Sequence, residues 1–385
     1  MNIVISSIYG RSGRDGISVY AGFIEKELSR VIPFDYRVYL TQEDISSSDE
    51  DTFILAAKAT ATFRTLTFAA RMILGLNIPR GRILQKDNFF LLIGFHCVFL
   101  VPLLPSTSRI VYIPFDCWSA RECKFARRER NIVGKLARTL WYRLVKLAEN
   151  IAIPRLRLIG FISDAEIDSF KAEHPKLGSD APKLAVIPSW RPAHADDIHS
   201  ISTYRNASKM SVLIWMDCRI SYGLESVRSV ARMLSLLEPN IAASLEISAL
   251  TRIGDSEFGD ALRSFKIELV NIEFVDDIAA RLATTDIVIL PDLLGTGVKN
   301  RAIQTIMSGS ILFATPHAAE GMSFLKKNDF FLLENLNDLQ SAFRCVLANP
   351  KIATEMPARA RSALLSEVNM HEGFIDATKA IANRK

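Results

Sequence analysis

The chain is poor in the features that would tie it to an export route, a disulfide framework or a membrane span. Its five cysteines, at positions 97, 117, 123, 218 and 345, form no CxxC pair. Neither a zinc knuckle nor a dithiol redox motif is therefore written into it, and the odd count fits reduced thiols. The opening residues, MNIVISSIYG, run straight into a strand-like apolar stretch without the charged start and small-residue cleavage site of a signal peptide. The expectation is a cytoplasmic protein that is not exported. The longest apolar run, Phe89 to Leu104, falls short of the roughly 20 residues a span needs and carries His96 and Pro102 inside it. It reads as a buried strand followed by a short helix. A net charge of +5 is mild, no repeat or low-complexity tract is visible, and no nucleic-acid module surrounds any basic segment, so nucleic acid is not an expected partner.

What the chain does have is apolar material in a regular order. At 385 residues it exceeds the roughly 250–300 residues at which single cores stop growing, so two domains are expected. Hydrophobic residues make up 49% of it and charged residues 23%, which suits two buried sheets and excludes a disordered chain. Strand-like runs rich in Val, Ile and Phe alternate with helix-length amphipathic segments, the pattern of an α/β protein with doubly wound parallel sheets. In the first half the strands are expected at Asn2 to Ser6, Tyr36 to Leu40, Phe89 to Ile93, Arg109 to Ile113, Leu158 to Ile162 and Leu184 to Ile187. Helices are expected at Ile17 to Arg30, Phe53 to Leu76, Trp118 to Glu149 and Asp164 to Glu173. A polar stretch with two prolines after Pro188 reads as a connection. The alternation then resumes, which predicts domains over 1–190 and 205–367, with a helix over 368–385 returning to the first. Open sheets of this kind bind ligands outside the carboxyl ends of their strands.

The most informative segment is PDLLGTGVKNRAIQTIMSGSILFATPHAAEGM, from Pro291 to Met322. It leaves a strand, passes through Gly295, Thr296 and Gly297, and enters a helix near Lys299. Glycines there let backbone N–H groups approach a ligand, and the helix N-terminus favours negative charge, so the loop suits a diphosphate. A glycine-rich turn between strand and helix is also common without any ligand.

This segment resembles the donor-binding segment of retaining family-four glycosyltransferases (glycosyl transferases group 1) of the GT-B fold. Pro291, Gly295, Gly297, Lys299, Asn300, Gly309, Ala314, Thr315, Pro316, Glu320 and Gly321 match it in order. The resemblance implies two Rossmann-like domains facing a central cleft and a nucleotide-sugar donor, with no metal and no separate cofactor. By the same resemblance Gly297 and Lys299 lie against the donor phosphates, with Gly295, Thr296, Asn300 and Glu320 in the same donor-binding set. Gln304 faces the nucleotide ribose. The chain departs from its relatives at two places: Gln304 and Thr296 stand where they usually carry glutamates, and a neutral amide accepts a hydrogen bond without charge assistance. These departures leave a weakened, scaffold-like protein open; a nucleotide-sugar epimerase, which would use the same donor cleft, and an NAD-dependent oxidoreductase, which a glycine-rich first turn alone would support, stay open as well.

The likeness extends to other segments. MNIVISSIYGRSGRDGISVYAGFIEKEL is similar to the first strand, glycine-rich loop and first helix of these enzymes, where Gly13 and Gly16 allow close approach and Arg11 or Arg14 assists. IGFHCVFLVPLL and SRIVYIPFDCWSARE resemble their acceptor-side strand ends, which makes His96 and Asp116 the catalytic candidates; a core histidine and a helix N-cap are the plainer readings. Arg219, in the exit loop of SVLIWMDCR, matches an arginine that pairs with the donor diphosphate; an exposed surface arginine is the plainer reading. Finally, nine cations against two glutamates between Arg121 and Lys146, interleaved with Phe125, Leu136, Leu140, Trp141 and Leu144, form a basic amphipathic segment. It suits either an anionic membrane surface bearing a glycan or lipid-linked acceptor, or a plain solvated helix.

Overall fold

Runs that alternate nothing and are apolar throughout can be satisfied only by burial on both faces, and the parallel strands of this protein show it. In the computed structural model the described residues are 1–7, 16–41, 51–56, 61–74, 80–129, 131–178, 181–187, 209–220, 222–265, 268–294, 298–368 and 372–383. The chain forms two units, Met1–Trp190 with Met370–Lys385, and Arg191–Asn369.

Unit 1 holds a seven-stranded sheet of β1 (Asn2–Ser6), β2 (Tyr36–Thr41), β3 (Thr52–Ala56), β4 (Phe89–Ile93), β5 (Arg109–Phe115), β6 (Leu156–Phe161) and β7 (Lys183–Val186), in the order β3-β2-β1-β4-β5-β6-β7. Every pairing is parallel. The five residues of β4, FFLLI, are all fully buried. Phe90 and Leu92 join the core on one face, whereas Phe89, Leu91 and Ile93 join the core on the other. Each such side chain stabilises the fold by about 1.5–3 kcal/mol. The apolar run Phe89 to Leu104 is thus a central strand followed by a 3-10 helix, Phe95–Leu103. Among the described residues no helix is long and apolar enough to cross a membrane.

Unit 2 holds β8 (Met210–Trp215), β9 (Leu245–Leu250), β10 (Val270–Ile272), β11 (Ile287–Leu290), β12 (Ile311–Ala314) and β13 (Phe331–Leu332), in the order β10-β9-β8-β11-β12-β13. All of its pairings are parallel too. Both sheets share one arrangement: the first strand sits beside the fourth, and the order runs outward in both directions from that pair. Two Rossmann-like units are present, as the alternation predicts.

Two predicted elements need correction. The segment Phe53 to Leu76 is not one helix, because TFILA pairs with β2 as β3 and the helix begins only at Ala61 (Ala61–Leu74). The β-branched and aromatic residues of that run prefer a pleated, half-buried surface. The segment Trp118 to Glu149 is two helices, Trp118–Arg128 and Ile132–Ala152. Glu129 turns extended, and the Asn131 side chain accepts hydrogen bonds from the backbone N–H groups of Val133 (2.9 Å) and Gly134 (3.2 Å), capping a new helix.

The C-terminal helix Glu372–Ala382 packs on the unit 1 sheet. Phe374 is 2% exposed within the same core as Leu158 and Ile113, and the Arg109 guanidinium donates to the carbonyl of Ala382 at 2.7 Å. Phe374→Ala is expected to destabilise unit 1 by about 3–5 kcal/mol. Urea unfolding followed by near-UV circular dichroism checks it; an unchanged first transition would show that the helix adds nothing to the fold.

Candidate functional site

In each sheet the strand order reverses between two neighbours, β1 and β4 in unit 1 and β8 and β11 in unit 2. The loops leaving such a pair diverge to opposite sides and open a crevice at their carboxyl ends. Of the residues singled out from sequence, Gly16, His96, Arg219 and Lys299 follow β1, β4, β8 and β11, whereas Asp116 follows β5 and Glu320 follows β12.

In unit 2 the chain leaves β8 through Met216 to Ile220, held down by Met216 N–H to Leu250 O (3.0 Å) and Cys218 N–H to Thr251 O (2.7 Å). The next helix, Gly223–Leu234, starts hard against this loop. A Cβ on Gly223 would lie 2.2 Å from the Asp217 carbonyl oxygen and 2.7 Å from the Cys218 Cα, so only glycine permits the approach. Arg219, on the loop, is 62% exposed and folds back on Asp217, with Nε to Oδ1 at 2.9 Å and Nη2 to Oδ2 at 2.6 Å. Burial would raise the Asp217 pKa, but the donors of Arg219 outweigh it and hold the carboxyl below its usual value. An arginine so placed carries a carboxylate now, and its exposed guanidinium is within the chemistry of phosphate binding.

The chain leaves β11 through Pro291, Asp292, Leu293 and Leu294. Gly295, Thr296 and Gly297 lie outside the described residues, as do Arg11, Gly13 and Arg14. Lys299 occupies the N-cap position of the helix Asn300–Ser308, with extended backbone angles. No side-chain hydrogen bond caps that helix N-terminus and its first turn carries no acid of its own, an end that favours negative charge. Asn300 and Gln304 stand one turn apart, both half-buried. Glu320 ends the short helix Pro316–Ala319, 3.6 Å from His317.

Asp292 and Arg301, which sequence reasoning missed, and Thr315, matched there without a role, tie these pieces together. Asp292, 1% exposed, receives Arg301 Nη2 on Oδ1 at 2.7 Å. Arg301 also donates to the carbonyl of Trp215 at the end of β8. Thr315, at the end of β12, donates its hydroxyl to the Asp292 carbonyl at 2.6 Å and accepts the N–H of Ala318 at 3.3 Å. The available signals were an acid directly after a strand-ending proline and a basic residue nine positions on, which are weak without a register.

In unit 1, Ser7 is the last described residue after β1, and Gly16 is the first residue of the helix Gly16–Ser29. Gly94 leaves β4 with φ 99°, a conformation that costs other residues a steric clash, and thereby aims the 3-10 helix that carries His96. Phe115 ends β5 with φ 73°, a strained backbone for an aromatic residue. Asp116 follows. It does not cap the next helix, because Cys117 takes that position and gives its N–H to the Glu166 carboxylate. The Asp116 carboxylate instead lies 3.8 Å from Arg121, whose guanidinium stacks 4.5 Å over the Phe95 ring. His96 packs 4.9 Å from Trp118. Burial, then the charges of Arg121 and Arg64, push its pKa down to about 3. His96 and Asp116 thus belong to one cluster with Arg121. The imidazole is neutral at ordinary pH, able to donate and accept hydrogen bonds with a hydroxyl.

The basic segment has an unexpected outer face. Ile132, Val133, Leu136, Leu140, Leu144, Leu147 and Ile151, spaced at helical intervals, are all exposed, Ile132 at 78% and Leu140 at 71%. The helix buries Val145, Glu149 and Ala152 instead. Lys135 and Arg143 are exposed beside the apolar stripe, while Arg138 pairs with Glu129 at 3.1 Å and Lys146 with Glu173 at 2.8 Å. The leucines therefore do not serve the sheet.

No family model matches the chain, and no curated protein matches its sequence. Solved structures do match its fold. It is similar to WaaG, described as a glycosyltransferase involved in lipopolysaccharide biosynthesis, with a TM-score of 0.70 at 12% identity over 100% of both chains. It is also similar to a sucrose-phosphate synthase from Thermosynechococcus elongatus, with a TM-score of 0.71 at 10% identity over 97% of this chain and 98% of the other. A third likeness is to an E. coli trehalose-6-phosphate protein bound with UDP-2-fluoro glucose, with a TM-score of 0.68 at 10% identity over 98% and 99%. The chain has the GT-B fold, as the resemblance implied.

The depressed His96 pKa has a measurable consequence. In the folded protein His96 stays neutral down to about pH 3, whereas the unfolded chain takes up a proton below about 6.5. Unfolded chains bind more protons in that window, so stability falls as pH falls through it. His96→Gln is expected to lose less stability than wild type between about pH 7 and about pH 5, by on the order of 1–2 kcal/mol. Denaturant midpoints at the two pH values decide it; parallel losses would show an unshifted histidine.

Proposed function

We propose that the chain is a glycosyltransferase that moves a sugar from a nucleotide-diphosphate sugar to a glycan or lipid-linked acceptor, with retention of configuration and without a metal. The observation that carries this reading is the strand-to-helix passage after β11. It lies at the switch point of unit 2, and its helix N-terminus has no side-chain cap and begins beside Lys299. Charge developing on a departing diphosphate would fall on Lys299, on Arg219 and on backbone N–H groups of that passage, and stabilisation of this kind is usually the largest catalytic contribution. In unit 1 the neutral His96 and the Asp116 carboxylate would hold acceptor hydroxyls. Gln304 would accept one ribose hydrogen bond where a carboxylate would accept a stronger one, which favours a modest donor affinity. One similar structure is described as a glycosyltransferase and another as bound with UDP-2-fluoro glucose, which supports the donor class by fold likeness.

The test is a thermal-shift and calorimetric titration of UDP, GDP, dTDP and ADP and their sugar conjugates. One base is expected to stabilise the wild type, and Lys299→Ala to weaken it by about 1.5–3 kcal/mol, roughly tenfold or more in Kd. Silence from all four at millimolar concentration would overturn the donor site and leave a scaffold as the better reading. Donor turnover without any acceptor would point to an epimerase.

The proposal extends to where the acceptor is met. Seven exposed aliphatic side chains beside Lys135 and Arg143 match a helix lying in the surface of an anionic bilayer, with apolar residues among the acyl chains and cations at the headgroups. This favours a cytoplasmic enzyme held peripherally on the inner membrane face, working on cell-surface polysaccharide or lipopolysaccharide. The protein is expected to sediment with phosphatidylglycerol-containing vesicles at low salt, less with phosphatidylcholine alone, and not at all as a folded Leu140→Glu/Leu144→Glu variant. Failure of the wild type to sediment removes the membrane part and leaves the donor chemistry untouched.

A further inference from the structure

The helices Ile132–Ala152 and Asp164–Glu173 each meet a proline two residues past their last residue, Pro154 and Pro175, and neither continues through it. A cavity of about 570 Å³ lies where the two helices end, its wall including Lys146, Asn150, Ile153, Pro154, Glu173 and Leu177. That volume is within the range of roughly 300–1,000 Å³ of small-molecule sites. The helix ends lead into β6 and β7, so the cavity stands at the opposite end of the unit 1 sheet from the strand exits that carry His96 and Asp116. It is no part of the candidate transferase site.

Its polar lining is held in place. The Lys146 ammonium donates to Glu173 Oε2 at 2.8 Å and to the Tyr142 hydroxyl at 3.2 Å. His174, 5% exposed, meets Asn150 Oδ1 at 2.8 Å with one ring nitrogen and Glu149 Oε2 at 2.9 Å with the other, which ties the Asn150 amide to a buried ring. Lys176 also lines the cavity and is exposed. Two lysines against one glutamate leave an excess of one positive charge, which a phosphodiester balances. Ile153 and Leu177 give the wall an apolar part, so the cavity suits a molecule that is anionic at one end and apolar at the other.

The position of the cavity on its helix says where such a molecule comes from. At about 100° per residue, Leu147 and Ile151 lie within about 20° of Leu140, on the exposed stripe, whereas Arg143, Lys146 and Asn150 stand about 60–120° to one side of it. A helix whose apolar face is sunk in a bilayer has its flanks at the level of the headgroups. The wall formed by Lys146 and Asn150 is such a flank.

We infer that the cavity receives the headgroup of an anionic phospholipid, with the phosphodiester at Lys176 and the Asn150 amide and the adjoining carbons against Ile153 and Leu177. This rests on the reading of the exposed stripe as a membrane face. The stripe supplies general affinity for a bilayer, and the cavity a preference among lipids.

The test titrates the full-length chain by calorimetry with dihexanoyl-phosphatidylglycerol, a short-chain lipid kept below its micelle concentration, and with dihexanoyl-phosphatidylcholine and inorganic phosphate as the other arms. The wild type is expected to bind the glycerol lipid, and the other two more weakly by roughly tenfold or more. A Cβ on Gly178, which also lines the cavity, meets nothing within 4 Å, so Gly178→Trp adds bulk there without changing charge. Gly178→Trp and Lys176→Gln are each expected to weaken the glycerol lipid by roughly tenfold, and the folded Leu140→Glu/Leu144→Glu variant to bind it nearly as the wild type does. Should Gly178→Trp not fold, Lys176→Gln decides by the same readout. Phosphate binding as tight as the lipid's marks a free-anion site and overturns the lipid assignment. A wild type that sediments with vesicles yet binds no short-chain lipid, or variants that bind it unchanged, overturn the inference and leave the membrane face standing. A wild type that does not sediment removes the membrane face, and the inference with it.

Discussion

Parallel strands need both faces covered, and the rest of the molecule is arranged by that requirement. Each crossover places a helix on a face of the sheet, so the side chains of a central strand such as β4 or β11 are consumed by packing. Functional groups are left one kind of place to stand, the loops beyond the strand ends. Where the winding reverses, between β1 and β4 and between β8 and β11, those loops part and backbone comes within reach of a ligand. The glycines follow from the same geometry. Gly94 turns the chain out of β4 through a left-handed conformation, and Gly223 lets a helix begin against the β8 exit loop.

This is also why the fold was legible in the sequence and the site only in part. Apolar runs bounded by turn residues mark strands wherever packing consumes them, and eleven residues matched in order from Pro291 to Gly321 located the β11 passage. β3 was lost because TFILA is continuous with an apolar helix in the linear pattern, and only its register with β2 distinguishes them. The break after Arg128 was written in Asn131, an N-cap residue whose role shows once the next turn folds onto it. Asp292 and Arg301 were invisible for another reason. Their pairing depends on a helix bringing position 301 back over the strand end, a distance of 2.7 Å in space that the spacing of nine residues does not state.

The two units handle charge in opposite ways. In unit 1, burial, helped by the charges of Arg121 and Arg64, keeps a histidine neutral, and the Asp116 carboxylate lies 3.8 Å from Arg121. Burial first, and then the charges of Arg121 and Arg64, disfavour the imidazolium, so His96 is a neutral hydrogen-bonding group near pH 7. In unit 2, the cations stand at loop and helix starts: Arg219 exposed on its own carboxylate, Lys299 at an uncapped helix end. Such an arrangement can receive negative charge without first losing a proton. Under the proposed function, the neutral hydrogen-bonding cluster of unit 1 suits a hydroxyl, and the fixed positive groups of unit 2 suit a diphosphate.

The exposed stripe on Ile132–Ala152 follows a different logic from the cores. Burying a leucine is worth about 1.5–3 kcal/mol, so a fold selected only for stability would turn the apolar arc inward. Here Val145, Glu149 and Ala152 face in, and Glu149 is committed to a 2.9 Å pair with His174 and to the N–H of Ser119 at 3.4 Å. Rotating the helix to bury Leu140 would carry Glu149 out to solvent and leave the buried His174 ring and the Ser119 N–H without their partner, at a cost of about 1–3 kcal/mol for each group. The buried polar network thus fixes the rotation of the helix and keeps its leucines outward. Those leucines stand beside Lys135 and Arg143, and a surface that is apolar at its centre and cationic at its edge has its complement in an anionic lipid layer.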